Sequence, residues 1–214
     1  MAAKLQWITP EAERQIMETA RVSNPANQQS TDTKLLSYCT KNGHWSIFEM
    51  ASMCVEITTS RAIARQILRH RSFSFQEFSQ RYANPEDLQL ECNRITCEAR
   101  SQDHKNRQNS IDNMSEEDKE WFNKAQIANW TYAHNLYQKA IKKGIAKECA
   151  RVFLPEGQTP SRMYMTGSIR SWIHYLQLRT GNGTQLEHQE IANEILDIMK
   201  EQLPIITSSI SWNK

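Results

Sequence analysis

The sequence predicts an α+β fold, consisting of one mainly helical domain with a small antiparallel or mixed sheet. Several segments carry apolar residues at spacings of three and four, between capping residues and a glycine or proline, which is typical of helices packed on a core. One segment near residue 55 alternates apolar and polar residues, as strands do. The 214 residues, 39% hydrophobic and 23% charged, contain no repeat or linker, so a single domain is predicted over residues 1–214.

Two helices are predicted near the N-terminus. Thr9 and Pro10 favour a helix start, with the threonine as the cap and the proline in the first turn. The apolar stripe of this helix consists of Ala12, Ile16 and Ala20. A second helix is predicted over about residues 32–42, because Gly43 suits a helix stop.

The next segments predict a strand followed directly by a helix. Met53, Val55 and Ile57 alternate with polar residues, which favours a half-buried strand. Ser60 then stands where a helix cap would, before a helical pattern over residues 61–70.

A long helix is predicted in the middle of the chain. Residues 101–110 contain no apolar residue and are predicted to form an exposed loop or a lid. Ser115 and three acidic residues then favour a helix start, and Gly144 favours its end. The face of this helix predicted to pack consists of Trp121, Ala125, Ala128, Tyr132, Leu136 and Ala140.

Two shorter helices are predicted next. The first covers residues 145–154 and stops at Pro155. Residues 157–161 are predicted to form a turn. The second helix covers residues 168–179 and is closed by Gly181.

The last predicted helix begins with a capping box and ends at a proline. Thr184 and Glu187 have the spacing of that box. The apolar positions of the helix are Ile191, Ile195 and Ile198, and Pro204 is expected to break it.

Composition excludes several classes of protein. The formal net charge of +2 provides no general basic field, so nucleic acid is not an expected partner. No window approaches the ~20 apolar residues of a membrane span, and the N-terminus does not resemble a signal peptide, so neither a membrane nor secretion is expected. The five cysteines are odd in number and lack a C-x-x-C pair, and no metal-ligand spacing is present. We therefore expect a soluble cytoplasmic protein without a metal.

Arginines concentrate in one part of the chain. Arg61, Arg65 and Arg69 follow one another at intervals of four, so they lie on one helical face, where like charges repel. The stretch RHRSFSFQEFSQRY, residues 69–82, continues the pattern to Arg81 and interleaves phenylalanines with serines. Arginine binds phosphate in a bidentate manner and stacks on rings. The pattern therefore indicates a site for a flat, phosphorylated ligand.

The residues alone leave alternatives open. The arginine face could be a solvated surface, since Ile63 and Ile67 occupy the opposite face of the helix. The same basic and aromatic patch would also suit a nucleotide- or RNA-binding module without redox chemistry. Ser79 could be a nucleophile, but no base is placed for it.

The motif R-H-R-x7-S, formed by residues 69–79 and flanked by Gln66 and Arg81-Tyr82, resembles the signature of the flavin-dependent thymidylate synthases, the ThyX family. Other segments resemble that family in the same order. They are GHWSIFE at 43–49, AKECARVFLP at 146–155 and GSIRSWIHYLQLR at 167–179. One departure is Ser168, where the family often has asparagine. The resemblance covers nearly the whole chain.

The resemblance implies a reaction and an assembly. The reaction is the reductive methylation of dUMP to dTMP, in which 5,10-methylenetetrahydrofolate gives the carbon, FAD carries the hydride and NADPH reduces the flavin. A homotetramer with active sites shared between subunits is implied. No cysteine nucleophile is implied, and none of the five cysteines has the setting of one.

The resemblance also assigns roles to positions in this sequence. Arg179 matches the catalytic arginine that promotes ionisation of the uracil ring at N3. The positions that match cofactor contacts are His44, Ser46, Arg69, His70, Arg71, Glu77, Ser168, Ile169, Arg170 and His174. The positions that match substrate contacts are Gln66, Arg69, Glu77, Ser79, Gln80, Arg81, Arg151 and Arg179.

Overall fold

A computed structural model describes residues 1–90 and 93–212 of the chain. The strands and α-helices in that part are, in order, β1 (Ala2–Ile8), α1 (Ala12–Ala20), α2 (Lys34–Lys41), β2 (Ser52–Ser60), α3 (Arg61–Ile67), β3 (Ser74–Glu77), β4 (Ser101–Gln102), β5 (Ser110–Ile111), α4 (Glu116–Lys142), α5 (Lys147–Ala150), β6 (Pro160–Ser168), α6 (Ile169–Arg179), α7 (Leu186–Gln202) and α8 (Pro204–Ser208). Short 3₁₀ helices cover Pro25–Asn27, Trp45–Met50, Pro85–Leu88 and Arg151–Phe153. The predicted α+β class is confirmed.

A four-stranded antiparallel sheet with the order β1-β2-β6-β3 lies at the centre of the fold. The two middle strands pair over nine residues each, from Ser52 opposite Ser168 to Ser60 opposite Pro160. The strand prediction around residue 55 is confirmed, because Met53, Val55 and Ile57 are fully buried on one face. Helices cover that face, and the sheet therefore forms one wall of the main core.

The sequence analysis missed three of the strands in this sheet. β1 and β3 are edge strands whose side chains alternate only between half-buried and exposed, so they lack a strong apolar pattern. β6 begins at Pro160, so the turn predicted over residues 157–161 is confirmed only at 157–159 and is wrong at 160–161. Proline is tolerated there because it is the first residue of the strand.

Each middle strand passes directly into a helix through a serine. The Ser60 and Ser168 hydroxyls accept the N–H three residues on, at 3.3 and 3.2 Å, and so cap α3 and α6. The cap predicted at Ser60 is confirmed. Because the strands are antiparallel, the two helices begin at opposite ends of the sheet. The Arg61 N–H accordingly bonds the Thr159 carbonyl at one end.

Two predicted helix caps are wrong, although the helices begin close to the predicted places, at Ala12 and Leu186. Thr9 does not cap α1: its hydroxyl accepts the Ser52 N–H at 3.0 Å and so ties β1 to β2, and Glu11 with φ 50° precedes the helix. The capping box at Thr184 does not form either, because the Glu187 carboxylate is bound by Arg100 at 2.5 Å. In both cases a distant partner displaces the local hydrogen bond.

The long helix α4 packs differently from its prediction. Trp121 and Tyr132 are 67% and 70% exposed. The side chains that α4 buries are Trp130, Ala133, Tyr137 and Ala140. A small separate cluster forms there with Ala150 and Leu154, so only the C-terminal half of α4 finds apolar partners. The predicted stripe is therefore confirmed only in part: Ala140 is buried, Ala125 and Leu136 are half-buried, and Trp121, Ala128 and Tyr132 are exposed.

The remaining predictions are confirmed in part. α2 ends before Gly43, which has φ 70°, and Pro204 begins the new helix α8. Residues 145–154 contain only one α-helical turn, Lys147–Ala150, followed by a 3₁₀ turn. Residues 101–110 are mostly exposed but include the small hairpin of β4 and β5. Within the described residues, no helix combines the length and the hydrophobicity that a membrane crossing requires.

Aromatic packing holds the segment after α3 against the sheet and α6. The Phe73 ring lies edge-on to Trp172, with 4.8 Å between ring centroids. It also covers Gly167 so closely that a Cβ atom at that position would lie 2.5 Å from the Phe73 ring. Glycine is therefore required at residue 167, and the backbone on either side of Phe73 is fixed by the core.

Candidate active site

One glutamate, Glu156, lies beside the first two arginines of α3 and not beside the third. Arg65 binds Glu156 at 2.6 Å, and Arg61 lies 4.0 Å from the same carboxylate and 3.5 Å from Glu77. Arg69, one turn further on, has no carboxylate partner in the described part of the chain. Carboxylates thus offset the repulsion between the arginines at the start of α3, and none does so at its end within the described residues.

Most of the predicted anion-binding arginines share this lack of a partner. Among residues 1–90 and 93–212, no carboxylate pairs with Arg69, Arg71, Arg151 or Arg179. Unpaired guanidinium groups that the fold holds close to other cations are typical of sites that bind anions.

Two predicted arginines do have acidic partners. Arg81 binds Glu148 at 3.1 Å, and Arg170 binds Glu49 at 3.1 Å. All four side chains are exposed, so these ion pairs contribute little to stability and can exchange for a ligand.

Arg179 and His70 meet where the C-terminal ends of α3 and α6 come together. The Arg179 Nε–H donates to His70 Nε2 at 2.9 Å, so His70 accepts as a neutral ring. The His70 ring is also held edge-on to Tyr175, with 4.8 Å between centroids. Burial, followed by the charges of Arg179, His174 and Arg69, lowers the pKa of His70 to about 4. The site therefore keeps a neutral imidazole against a fixed guanidinium.

We expect the apoprotein to lose stability in mild acid. The buried His188 behaves as His70 does, because burial and the charges of Arg179 and His70 lower its pKa to about 3. An unfolded histidine has a pKa of about 6.5. As the pH falls from about 6.5 to about 4, the unfolded chain binds protons that the folded chain does not. The free energy of unfolding should therefore fall by up to about 1.4 kcal/mol per pH unit for each histidine.

Urea denaturation between about pH 7.5 and about pH 5 measures this slope. His188→Gln should make the dependence shallower, and the matched control His104→Gln, at an exposed position, should leave it unchanged. A stability independent of pH over this window would contradict the assignment of neutral histidines.

One cavity lies between α6 and the 3₁₀ helix Trp45–Met50. Its volume is about 360 Å³, and Arg170 and His174 project into it from one face of α6. The other lining residues are Trp45, Glu49, Ser72, Ser171, Ile173 and Gln177. A flat ring on Trp45 and an anion on Arg170 would both be accommodated.

A second cavity lies at the N-terminal end of α3. Its volume is about 430 Å³, and it is lined by Arg61, Arg65, Gln80, Glu148, Arg151, Val152, Leu154 and Glu156. Gln80 is 4% exposed, and its Nε2 has no hydrogen-bond partner among the residues that the structure describes. A buried donor without an acceptor is costly, so this amide indicates a place for a ligand oxygen beside Arg151.

Two other predicted substrate residues, Glu77 and Ser79, line a further cavity of about 400 Å³. Glu77 accepts the Ser161 hydroxyl at 2.7 Å and faces Arg61. The Ser79 hydroxyl accepts the Arg81 N–H at 3.4 Å, which fits a binding residue and provides no base for a nucleophile.

The structure thus divides the predicted residues into two sets. One set, with Gln66, Arg69, His70 and Arg179, lies at the C-terminal end of α3. The other set, with Gln80 and Arg151, lies at its N-terminal end. A seven-residue helix separates the two sets by about 10 Å.

The geometry gives less support to four of the cofactor assignments. Ile169 is fully buried, and its N–H already donates to the Ala51 carbonyl at 2.9 Å. The Ser168 hydroxyl caps α6. His44 and Ser46 are exposed beside the first cavity, and the described contacts do not place either in its lining. Their roles stay predictions.

Several site residues were missed at the sequence level. Glu156 is the carboxylate that pairs with two arginines of α3, although it lies far along the chain. Tyr175 packs against His70 and is hydrogen-bonded to His188 at 3.0 Å. Of these residues, Trp45 could have been suspected from the sequence, because it is adjacent to the predicted Ser46.

The fold and these contacts define a class of protein: an α+β domain whose clustered arginines and cavities suit a ligand with phosphates and a ring. Comparison with known proteins narrows the class. The family model described as thymidylate synthase complementing protein matches residues 4–205. The chain belongs to this family.

Relatives of known description agree with this family. The flavin-dependent thymidylate synthase of Synechocystis sp. is 54% identical over 193 residues, which cover 90% of this chain and 86% of the relative. The probable flavin-dependent thymidylate synthase of Paramecium bursaria Chlorella virus 1 is 49% identical, over 99% of this chain and 100% of the relative. The resemblance seen in the sequence motifs is confirmed.

A solved structure has the same fold. The UMP/dUMP methylase PolB of Streptomyces cacaoi, crystallised with 5-Br dUMP, superposes with a TM-score of 0.81 and covers 97% of this chain and 93% of its own. The sequence identity is 24%, so this likeness supports the architecture and not the details of the site.

Proposed function

We propose that this protein is a flavin-dependent thymidylate synthase that converts dUMP to dTMP with FAD, NADPH and 5,10-methylenetetrahydrofolate. The observation that carries the proposal is that, within the described residues, Arg69, Arg71, Arg151 and Arg179 have no carboxylate partner and the Gln80 Nε2 has no acceptor. These groups match a reaction whose participants carry phosphates and whose uracil ring becomes anionic. Family membership and two relatives of about half identical sequence support it.

The residues present fit FAD. Within the described residues neither Arg69 nor Arg71 has a carboxylate partner, and both would hold its pyrophosphate. The cavity beside Arg170 and His174 is bordered by Trp45 and Ser72. Bound there, the flavin would supply hydride transfer. The cations around it would stabilise a negatively charged ring, which is the contribution that this chain makes to the redox step.

The substrate is expected to lie between the two sets of residues. Arg151 and the Gln80 amide would bind the dUMP phosphate, and the neighbouring Ser79 and Arg81 would add donors. Arg179, held by His70, would direct its guanidinium at N3 and a carbonyl of the uracil, which favours the ring anion and makes C5 more nucleophilic. The nucleotide would thus be activated without a covalent bond to the protein.

The cysteines do not contradict this mechanism. Cys39 and Cys54 are buried, and burial raises the pKa of the Cys39 thiol. Burial, followed by the charge of Glu187, raises the pKa of Cys97. Cys149 is exposed, and Cys92 lies outside the described residues. Thiols whose pKa is raised are poor nucleophiles at neutral pH. Their free state also supports a cytoplasmic location.

We propose that the protein acts as a homotetramer with shared active sites. Membership of the family whose resemblance implied this assembly supports the proposal. Exposed apolar side chains are available for contacts between subunits: Tyr82, Trp121, Tyr132, Val152 and Phe153.

Flavin binding and tritium release test the proposal. The purified protein should be yellow, or should shift the visible bands of added FAD, and FAD and dUMP should each raise its melting temperature. It should release tritium from [5-³H]dUMP only when the folate and NADPH are both present. A colourless protein that does not bind FAD but binds a nucleotide or RNA would contradict the proposed enzymatic function.

A further inference from the structure

A continuous chain of hydrogen bonds runs beneath the site and is not part of the motif. The His188 ring, fully buried, bonds the Tyr175 hydroxyl through Nε2 at 3.0 Å and the Gln66 Oε1 through Nδ1 at 3.3 Å. The Gln66 Nε2 donates to Gln185 Oε1 at 2.7 Å, and Gln185 Nε2 donates to Glu187 Oε2 at 2.8 Å.

Glu187 terminates this chain as a carboxylate. Burial opposes its ionisation, but the hydrogen bonds from Arg100, from its own N–H and from Gln185 outweigh burial, and the pKa of Glu187 is lowered. Arg100 binds the other oxygen at 2.5 Å, and both side chains of this pair are almost entirely buried. The ionised carboxylate accepts hydrogen bonds and donates none.

That acceptor determines the direction of every hydrogen bond in the chain. Gln185 must turn its NH₂ group toward Glu187, which leaves its oxygen to accept from Gln66. Gln66 must then turn its oxygen toward His188. His188 therefore carries its proton on Nδ1 and accepts the Tyr175 hydroxyl at Nε2. An amide flip at Gln66 would place its oxygen against the Gln185 oxygen, two acceptors face to face.

Gln66 is half-buried at the C-terminal end of α3, one turn before Arg69 and His70. One N–H of its NH₂ group is used by Gln185, and the second is available to a ligand. We propose that Glu187 is a positioning residue that fixes the orientation of the Gln66 amide, so that a single N–H donor faces the oxygens of the uridine nucleotide. This inference rests on the proposed function, which supplies the nucleotide.

Two variants and one spectroscopic measurement test the inference. Gln185→Ala breaks the chain at an exposed position and leaves the Arg100–Glu187 ion pair in place. The dissociation constant for dUMP on the FAD-loaded protein should rise about tenfold, which is the size of one lost hydrogen bond. Turnover at saturating dUMP should change less than the dissociation constant does. Glu187→Gln should have the same effect, and Glu190→Gln, at an exposed position of the same helix, should have none.

The ¹⁵N spectrum of the histidine side chains gives a readout that needs no nucleotide. His188 in the wild-type protein should be protonated at Nδ1, and this preference should weaken in Gln185→Ala. The inference is overturned by an Nε2–H tautomer in the wild type, or by a dissociation constant in Gln185→Ala within about twofold of the wild type. A wild-type protein that bound no dUMP would contradict the proposed function. The tautomer of His188 would still show the direction of the hydrogen bonds from Glu187 to Tyr175.

Discussion

Replacing Arg179 by alanine is expected to reduce the turnover of dUMP by about two to three orders of magnitude while the protein keeps its flavin. The guanidinium has no carboxylate partner in the described part of the chain, and its Nε–H is held by a neutral His70. It therefore remains available to stabilise charge on the uracil. The loss should be mainly in kcat, because the stabilised charge develops during the reaction.

Tritium release from [5-³H]dUMP measures this effect, and the visible spectrum reports bound flavin. Arg170→Ala is the matched comparison on the same helix, and it should weaken flavin binding first, because Arg170 lines the cavity beside Trp45. Arg14→Ala should leave both properties unchanged, because this arginine is exposed and its partners within the described residues are Glu11 and Glu18. Normal turnover by Arg179→Ala would refute its catalytic role.

Replacing Trp172 by alanine should destabilise the protein by about 3–5 kcal/mol, a large share of the stability of a domain of this size. The indole is fully buried, packs on Phe73, and donates its N–H to the Met53 carbonyl at 3.0 Å. Its loss leaves a cavity within the main core and removes this hydrogen bond.

Because Phe73 lies shortly after the triplet 69–71, the same change should also weaken the binding of FAD. Urea denaturation measures the first effect and flavin retention the second. Trp121→Ala is the matched control, since this tryptophan is largely exposed, and it should change the stability of the monomer by less than about 0.5 kcal/mol. A Trp172→Ala protein as stable as the wild type would contradict the packing described here.

Local patterns predicted the helices with strong caps and the buried strand β2, because Ser60, Gly43 and the alternation around Val55 act through their neighbours in sequence. They failed where a distant partner decided the structure. Thr9 is bound to Ser52 and not to its own helix. β6 depends on pairing with β2, and no pattern in PSRMYMTGS reveals that pairing.

The chemistry of the site was predictable from the sequence, and its geometry was not. The unpaired state of Arg69 could be suspected, since no acidic residue adjoins the triplet, but the pairing of Arg61 and Arg65 with Glu156 required the folded chain. The motif also placed Gln66 in the site without indicating that Glu187 orients it. Such supporting contacts join segments with no common pattern.

The pairing of the two middle strands has a consequence for the rate of folding. Glu56 lies opposite Tyr164, so the centre of the sheet joins segments 108 residues apart. β1 also pairs with β2 across a long stretch of the sequence, since Ala2 lies opposite Thr58. Long loops must close before these contacts form, which slows folding and exposes intermediates to aggregation. On the ribosome, the sheet cannot assemble until most of the chain, including α4, has emerged, and arginines brought together only by that step remain apart until then.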